Sequence, residues 1–413
     1  MNFVVASYNY LPASDPEASC TARFVNMLAA AGHSVTVVTC EWPNEVPDKT
    51  VSQMVTEDVR VVRVAQRRFR NPCIKFIDRA FKIRLWMGIG LSDFSRSLRK
   101  TLEETVEPIL VSRCDPIEAL IVAMKCRKYA RRWIAHFSDP MPIRIPGRFP
   151  RFVSKRIMAR CRKAFALADG IFVTCPHAVR WFTDVYGESF TRWMDKVSVC
   201  THVGNPLLKP VDPFRFSCPE LLPRSDVRRQ GVIVLSHCGY ISGWRYLREV
   251  RRELSLLSLE MDLVFWIVGR VDEIMKRSFS CCCKDVEGML CKDHSIVTNV
   301  YDESDVCLVL DTKCDMNYSP FLPSKFVFAL FADVPIVACA VDDSPMAAIV
   351  RKFPGSKIYS ANPSVKGEIA AAIKSAVVGG RANYNDREAV RKYFSSDRIV
   401  HQYLGYLEHI KVI

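Results

Sequence analysis

The first forty residues combine short apolar runs with one helical pattern. Phe3 to Ala6 is apolar enough for a buried strand, apolar positions from Ala22 to Ala31 recur at helical spacing, and Val35 to Val38 is a second apolar run. Asp15 followed by Pro16 is a helix-start signal, because Asp caps the first backbone N–H groups and proline suits the first helical position. The opening therefore predicts a β–α–β unit.

The same alternation continues along most of the chain. Helical patterns lie between most of the apolar runs, which predicts α/β domains with parallel sheets covered on both faces. The predicted strands of the first half are Val59–Val64, Ile109–Ser112, Trp133–Phe137, Gly170–Thr174 and Lys196–Cys200. Those of the second half are Val232–Ser236, Leu263–Val268, Ser295–Val300, Val306–Asp311, Ile336–Ala340 and Lys357–Ser360.

A stretch with five prolines between Pro206 and Pro223 interrupts the alternation, and such stretches mark linkers. We therefore predict an N-terminal Rossmann-like domain at 1–203, a linker at 204–230 and a C-terminal Rossmann-like domain at 231–385. Two closing helices at 386–413 are expected to cross back to the first domain. In a tandem of this kind, the default ligand site is a cleft between the carboxyl ends of the two sets of strands.

Length and composition fit two globular domains. The chain has 413 residues, of which 49% are hydrophobic and 25% are charged, so it exceeds one ordinary core. It has no basic stretch ahead of an apolar run at its N-terminus and no window of about 18 uncharged apolar residues. We therefore expect a cytoplasmic protein whose 17 cysteines are reduced core residues, as in the apolar runs around Cys40 and Cys307.

The net charge of +14 is concentrated in two stretches of the first half. Arg67 to Lys100 has ten Lys or Arg residues against two acids, and Lys125 to Lys163 has thirteen against one. In the first stretch the cations alternate with aromatic residues such as Phe69 and Trp86, a mix that suits anionic lipid headgroups. Each stretch is either a surface for an anionic partner, such as the inner face of a membrane, or a solvated basic face.

Two residues of the second half suit a bound diphosphate. Gly239 follows a predicted buried strand, and Arg245 opens the predicted helix of LSHCGYISGWRYLREV. Glycine lets the backbone approach a bulky anion, and a guanidinium beside a helix start can bind phosphate oxygens. The same spacing also occurs in α/β proteins that bind nothing there, so it is a weak signal when taken alone.

The segment LPSKFVFALFADVPIVA adds a second phosphate candidate. Ser324 is expected to cap the helix that follows Pro323, and Lys325 in its first turn opposes the helix-dipole preference. A bound anion would remove that conflict. We therefore predict that Ser324 and Lys325 hold a phosphate and face Gly239 and Arg245. The alternative is a capped core helix with a solvated lysine.

Taken in order, these motifs resemble the retaining glycosyltransferases of the GT-B fold, in the glycogen-synthase-like group of the family-4 type. The second half contributes CGYISGWR, LVFWIVGR, SIVTNVYDESDVCLVLD and LPSKFVFALFADVPIVA; the first half contributes AAAGHSVTVVT, WIAHFSDPMP, ADGIFVTCPHAVRWF and KVSVCTHVGNP. The resemblance covers nearly the full chain. It implies two Rossmann-like domains facing across a cleft, and sugar transfer from a nucleoside-diphosphate sugar to a glycan or lipid-linked acceptor with retention of configuration.

The resemblance also implies roles for individual residues. Arg245 and Lys325 would grip the diphosphate and stabilise charge on the leaving group, with Gly239 close to the same phosphates. His136 would contact the donor sugar, and Asp139 is a further donor-binding candidate beside it. Alternatively, His136 is a core histidine at a strand end, satisfied by backbone groups.

We expect no metal and no other cofactor besides the nucleotide sugar as co-substrate. The sequence contains no Asp-x-Asp, so the ligands of the metal-dependent glycosyltransferase fold are missing. Cys281, Cys283, Cys291 and His294 have spacings that suit zinc, but no paired second half accompanies them.

The sequence departs from the family pattern at the ribose. Phe328 stands three positions after Lys325, where members with this turn have an acid, and the other acid of the usual pair would fall on Pro320. Phenylalanine cannot accept a hydrogen bond from a ribose hydroxyl. The alternative function is therefore a non-catalytic GT-B-fold binding or scaffolding protein. A nucleic-acid-binding protein ranks lower, because no recognition module is visible.

Overall fold

The computed structural model describes residues 1–13, 15–41, 54, 56–65, 90–142, 151–204, 231–239, 245–269, 285–289 and 295–410. These residues divide into two compact units. The first contains the described residues up to Val203 together with those from Ser396 onward, and the second runs from Gly204 to Ser395. The zinc candidates, most of the first basic stretch and, apart from Gly204, the predicted linker lie outside the described residues.

Within the described residues, the first unit holds a sheet of seven parallel strands covered by helices. The strands are β1 (Asn2–Ala6), β2 (Ser34–Glu41), β3 (Val59–Ala65), β4 (Ile109–Arg113), β5 (Arg132–Phe137), β6 (Gly170–Val173) and β7 (Val197–Val199). The helices are α1 (Pro16–Ala30), α2 (Ser92–Glu104), α3 (Glu118–Cys126), α4 (Arg151–Leu167), α5 (Pro176–Tyr186) and α6 (Glu188–Thr191). Short 3₁₀ helices lie at Arg127–Tyr129 and Met194–Lys196.

The second unit repeats this architecture with six parallel strands in its described part. The strands are β8 (Ile233–Cys238), β9 (Leu263–Val268), β10 (Asp285–Met289), β11 (Val306–Leu310), β12 (Ile336–Cys339) and β13 (Ile358–Ala361). The helices are α7 (Leu247–Leu257), α8 (Ser295–Glu303), α9 (Ser324–Ala329), α10 (Pro345–Lys352), α11 (Glu368–Gly379) and α12 (Tyr384–Tyr393). Of the two closing helices expected in the first domain, the last helix of the chain, α13 (Ser396–His409), belongs to the first unit, whereas α12 belongs to the second.

Both sheets reverse their strand order once. The orders are β3-β2-β1-β4-β5-β6-β7 and β10-β9-β8-β11-β12-β13, and all described pairings between these strands are parallel. The reversal lies between β1 and β4 in the first unit and between β8 and β11 in the second. Ligands of open α/β sheets bind beyond the carboxyl ends of the strands at such a point. The two parallel α/β sheets confirm the predicted fold class.

Most predicted elements are present, but the strand predicted at Ser295–Val300 is wrong. This segment forms the first part of helix α8, which packs on β8 and β9. Its β-branched residues favour a strand when taken locally. The spacing of the buried Val300 and Tyr301 from Ile296 and Val297 is helical, and packing on the sheet decides the outcome.

The first helix begins as the sequence predicts. The side chain of Asp15 accepts hydrogen bonds from the backbone N–H groups of Glu17 and Ala18, and Pro16 is the first helical residue. The last helix, α13, closes the same unit: Tyr403 stacks on Phe172 with ring centroids 4.6 Å apart. Within the described ranges, no helix is both long and apolar enough to cross a membrane.

A buried arginine of α12 fixes the segment between α9 and β12. The Arg387 side chain is fully buried, and burial lowers its pKa to about 9. Its guanidinium donates five hydrogen bonds to backbone carbonyls, those of Ala329, Ala332, Val334, Ser356 and Lys357. The arginine therefore holds the end of α9 and the starts of β12 and β13 in one geometry.

We predict that Arg387→Met destabilises this segment by about 3 kcal/mol, because several buried carbonyls lose their donor at once. Urea denaturation should record the loss, and hydrogen exchange of the amides in α9 and β12 should quicken with it. The matched control is Arg96→Met, which removes an exposed arginine of α2 and should change stability by less than about 0.5 kcal/mol. Equal effects of the two substitutions would contradict this account of Arg387.

Candidate functional site

The carboxyl ends of β8 and β11 carry the residues that the sequence singled out in the second unit. Gly239 directly follows β8, and its N–H donates to the carbonyl of Val268 on the neighbouring strand. The backbone of Arg245 forms an isolated antiparallel bridge with Thr312, two residues beyond β11. The Arg245 guanidinium also donates a hydrogen bond to the carbonyl of Leu310. Gly239 and Arg245 therefore both lie at the switch point of this sheet.

Lys325 reaches the same place from helix α9. Its Nζ lies 3.2 Å from Nε2 of His237, the residue two positions before Gly239. A Cβ atom added to Gly239 would lie 2.6 Å from that Nζ, and the φ of Gly239 is +128°. Glycine is thus required here both by its backbone conformation and by the close passage of the lysine.

Ser324 does not cap the helix, so that expectation is wrong. It is the first residue of α9, and Pro323 occupies the cap position with no side-chain cap hydrogen bond. A proline cap leaves the first N–H groups of the helix without a side-chain acceptor. Ser324 remains half-buried beside Lys325, and its contact with a phosphate stays a prediction.

His237 also belongs to this group, although the sequence analysis did not single it out. The ring is fully buried within β8, and its Nδ1 lies 2.8 Å from the carbonyl oxygen of Leu308. A carbonyl oxygen only accepts, so Nδ1 carries the hydrogen and Nε2 offers its lone pair to the Lys325 amine. The sequence signal for a functional role of His237 was its position as a polar residue inside an apolar strand, in LSHC.

Arg245, Lys325 and His237 lie close enough together that a positive charge on one disfavours a positive charge on another. Burial and the nearby Arg245 charge lower the pKa of Lys325 well below its ordinary value. Burial, Lys325 and Arg245 likewise lower the pKa of His237, so that its ring is neutral. Within the described parts of the chain, no carboxylate forms an ion pair with Lys325. An anion that entered this place would favour the charged form of the lysine.

Phe328 and Pro320 stand where the family pattern has its two acids. Phe328 is half-buried on α9, and Pro320 is buried four residues before the helix. Neither side chain has an oxygen that accepts a hydrogen bond. A ribose bound beside them would therefore depend on other groups for its hydroxyl contacts.

The first unit has its own polar group at its switch point. Arg113 ends β4, is 2% exposed and lies against the Glu17 carboxylate, with Nη2 2.8 Å from Oε1. The same Oε1 accepts from Ser138 Oγ at 2.8 Å, and Arg113 Nη2 donates to that hydroxyl. Burial raises the pKa of Glu17 to about 7 against the opposing effects of Arg113 and Ser138. The pKa of Arg113 is raised because Glu17 outweighs burial.

The structure locates His136 and Asp139 beside this group. His136 is buried, both ring nitrogens lie within 3.1 Å of Arg113 Nη1, and the ring packs edge-on against Phe24. Burial and the Arg113 charge lower the pKa of His136 well below its ordinary value. Asp139, two residues beyond β5, is half-buried. Contacts of these residues with a donor sugar stay predictions.

Comparisons with known proteins identify the fold. No family model matches the sequence, and no curated protein sequence matches it either. Among solved structures, Anabaena HepE (Alr3699) in complex with UDP and glucose is similar at a TM-score of 0.63, with 13% identity over 99% of each chain. An alpha,alpha-trehalose-phosphate synthase (UDP-forming) from Burkholderia vietnamiensis is similar at 0.63, with 12% identity over all of both chains. A mutant of S. aureus TarM with fondaparinux, alpha-GlcNAc-glycerol and UDP is similar at 0.63, with 8% identity over 98% of this chain and 99% of that one.

These structures are GT-B glycosyltransferases. The chain therefore has the GT-B fold, which the sequence resemblance predicted. At 8 to 14% identity the similarity concerns the fold, and the chemistry has to be argued from the residues themselves.

We predict that Gly239→Ala destabilises the protein by about 1–3 kcal/mol, through backbone strain and through contact with the lysine chain. Lys325→Ala combined with Gly239→Ala should recover part of this loss, since only the strain remains. Urea denaturation of both single variants and the double variant gives the coupling energy. Strict additivity of the two substitutions would show that the lysine does not pass over Gly239.

Proposed function

We propose that this protein is a glycosyltransferase that moves a sugar from a nucleoside-diphosphate sugar to a hydroxyl of a glycan or lipid-linked acceptor, with the anomeric configuration retained. The observation that carries the proposal is the convergence of Arg245, Lys325 and His237 beside Gly239, at the switch point of the second sheet. The GT-B fold supports it, because the similar structures include complexes with UDP and with UDP-glucose. Retention and the acceptor class rest on the sequence resemblance.

The chemistry of the leaving group fits these side chains. In the transfer, the bond between the anomeric carbon and the phosphate oxygen breaks, the acceptor oxygen bonds to that carbon, and the acceptor proton leaves with the diphosphate. Negative charge grows on the diphosphate, and fixed cations in a partly desolvated site stabilise it. Arg245 and Lys325 supply two such cations, so we propose that the transfer needs no metal ion.

The second candidate function is a non-catalytic protein of the same fold that binds nucleotide sugars or a partner. Phe328 favours this alternative, because the ribose carboxylate of the family pattern is missing there. The two candidates differ in turnover. An enzyme releases nucleoside diphosphate from its donor slowly even without an acceptor, whereas a binding protein does not.

We expect the protein to release UDP from UDP-glucose in a coupled assay without acceptor, and to do so equally well in the presence of EDTA. Arg245→Ala should lower this rate by about 100-fold or more, the usual cost of removing one group that stabilises transition-state charge. Arg248→Ala, an exposed position on helix α7 of the same unit, is the matched control and should leave the rate unchanged. Thermal stabilisation by UDP without any release would favour the non-catalytic alternative.

Helix α4 gives the second basic stretch a defined surface. Arg151, Lys155 and Lys163 are exposed on it, and the helix contains no acidic residue. Phe152 is 42% exposed. It lies in line with the exposed alanines of the helix, and exposed cations flank this narrow apolar stripe on both sides. The opposite face is apolar and buried in the first unit. We propose that this exposed face rests on an anionic lipid surface, because cations flanking an apolar stripe complement anionic headgroups above acyl chains.

The change of Arg151, Lys155 and Lys163 to Gln should weaken binding to vesicles that contain anionic phosphatidylglycerol by about 100-fold, from about 1 kcal/mol for each cation. Vesicle sedimentation measures the effect, with neutral phosphatidylcholine vesicles as the reference.

The control variant removes the same charge from helix α2. There Arg96, Arg99 and Lys100 each form an ion pair with an acid one turn away. Changing these three residues to Gln should leave vesicle binding almost intact. If both triple variants lose binding equally, net charge and not the α4 face determines the association.

A further inference from the structure

His237 connects two parts of the second unit that are far apart in sequence. It lies in β8, contacts the backbone of β11 through Nδ1 at 2.8 Å, and contacts Lys325 of α9 through Nε2 at 3.2 Å. The ring is fully buried, so its orientation is determined by these two contacts and by the surrounding sheet. The histidine is therefore a rigid group that carries a lone pair at a fixed place.

Two effects oppose the observed position of the Lys325 side chain. A lysine side chain has four rotatable bonds and loses considerable entropy when it is held in one conformation. Arg245 lies close enough for its charge to oppose that of the ammonium. Without an acceptor, repulsion and entropy would both move Nζ away from Gly239.

We propose that His237 is a positioning residue: Nε2 accepts a hydrogen bond from Lys325 and holds its Nζ over Gly239, where an incoming diphosphate meets it. This role rests on the proposed function, since it gives the lysine its place in the donor site. A neutral imidazole suits the task, because it accepts a hydrogen bond without neutralising the ammonium. A carboxylate at the same position would pair with the lysine and compete with the ligand.

The affinity of this site for a diphosphate should depend on pH, and the direction follows from the lowered pKa of Lys325. Among the described residues, the titratable groups that act on Lys325 are Arg245, His237, Cys238 and Cys307. The pKa of the lysine is lowered in the ligand-free protein, and a bound diphosphate favours the ammonium. Binding of UDP should therefore take up protons as the pH rises through the lowered pKa, and affinity should fall there. The pKa of His237 is lowered as well, so its acceptor nitrogen persists below neutral pH.

Two substitutions separate the two hydrogen bonds of the ring. The amide nitrogen of His237→Asn can take the place of Nδ1 and donate to Leu308, but the side chain is too short to reach the lysine. The amide oxygen of His237→Gln can take the place of Nε2 and accept from Lys325, while the bond to Leu308 is lost. The His237→Asn variant should therefore lose less stability than the His237→Gln variant, whereas the His237→Gln variant should hold Lys325 nearer to its native position.

We expect His237→Asn to weaken UDP binding by about tenfold in isothermal titration calorimetry, the effect of about one lost hydrogen bond. His237→Gln should stay within about threefold of the unmodified protein, although it unfolds at lower urea concentration. A purely structural histidine would give affinities that follow stability, with glutamine the worse of the two. That order would overturn the proposal.

A second measurement needs no ligand, and its first part needs no variant either. The ¹⁵N resonances of the His237 ring should report hydrogen on Nδ1 and none on Nε2, and the opposite tautomer would overturn the proposal. In the Asn variant, Lys325 should also react faster with acetic anhydride, as measured by peptide mapping. If neither UDP nor any other common nucleoside diphosphate binds but the tautomer and the labelling behave as expected, the proposed function fails while His237 still positions the lysine.

Discussion

The candidate site of the second unit depends on one constraint: an ammonium group must be held in a half-buried place where the charge of a guanidinium opposes it. Removing an ammonium from water costs several kcal/mol, and the charge of Arg245 adds repulsion. Gly239 leaves room for the lysine chain, and the neutral ring of His237 accepts its hydrogen bond. These contacts hold Lys325 without a negatively charged partner, which is why we propose an anionic ligand for this site.

The geometry of that constraint also depends on the backbone at the other end of the lysine's helix. Helix α9 is only six residues long, so its direction depends on what holds its end. The guanidinium of Arg387 does so through the carbonyls of Ala329, Ala332 and Val334. The buried Arg387 thus donates to backbone carbonyls, while Arg245 and Lys325 lie at the carboxyl edge of the sheet. In this unit, Arg387 therefore stabilises the backbone, whereas Arg245 and Lys325 are proposed to bind the diphosphate.

The sequence predicts the fold and three members of the site because their signals are local. A glycine after an apolar strand, and a cation at the start of a helix, are visible within a few residues, as at Gly239, Arg245 and Lys325. His237 and its lysine are 88 residues apart, and Arg113 is 96 residues from Glu17. Contacts of that range depend on strand order, which no local pattern records. The strand wrongly predicted at Ser295–Val300 has the same cause, because packing on the sheet overrides local propensity.

The contrast between the two units favours one of them as the proposed place for an anion. Each sheet has a switch point, so the fold alone offers two sites. In the first unit the buried Arg113 already has a carboxylate partner, since Glu17 lies 2.8 Å from it. A phosphate there would have to displace that carboxylate and leave it buried without its cation, at a cost of about 3–5 kcal/mol. In the second unit, within the described residues, Lys325 contacts a neutral imidazole and forms no ion pair with a carboxylate. The contrast therefore favours the second unit for the proposed diphosphate site.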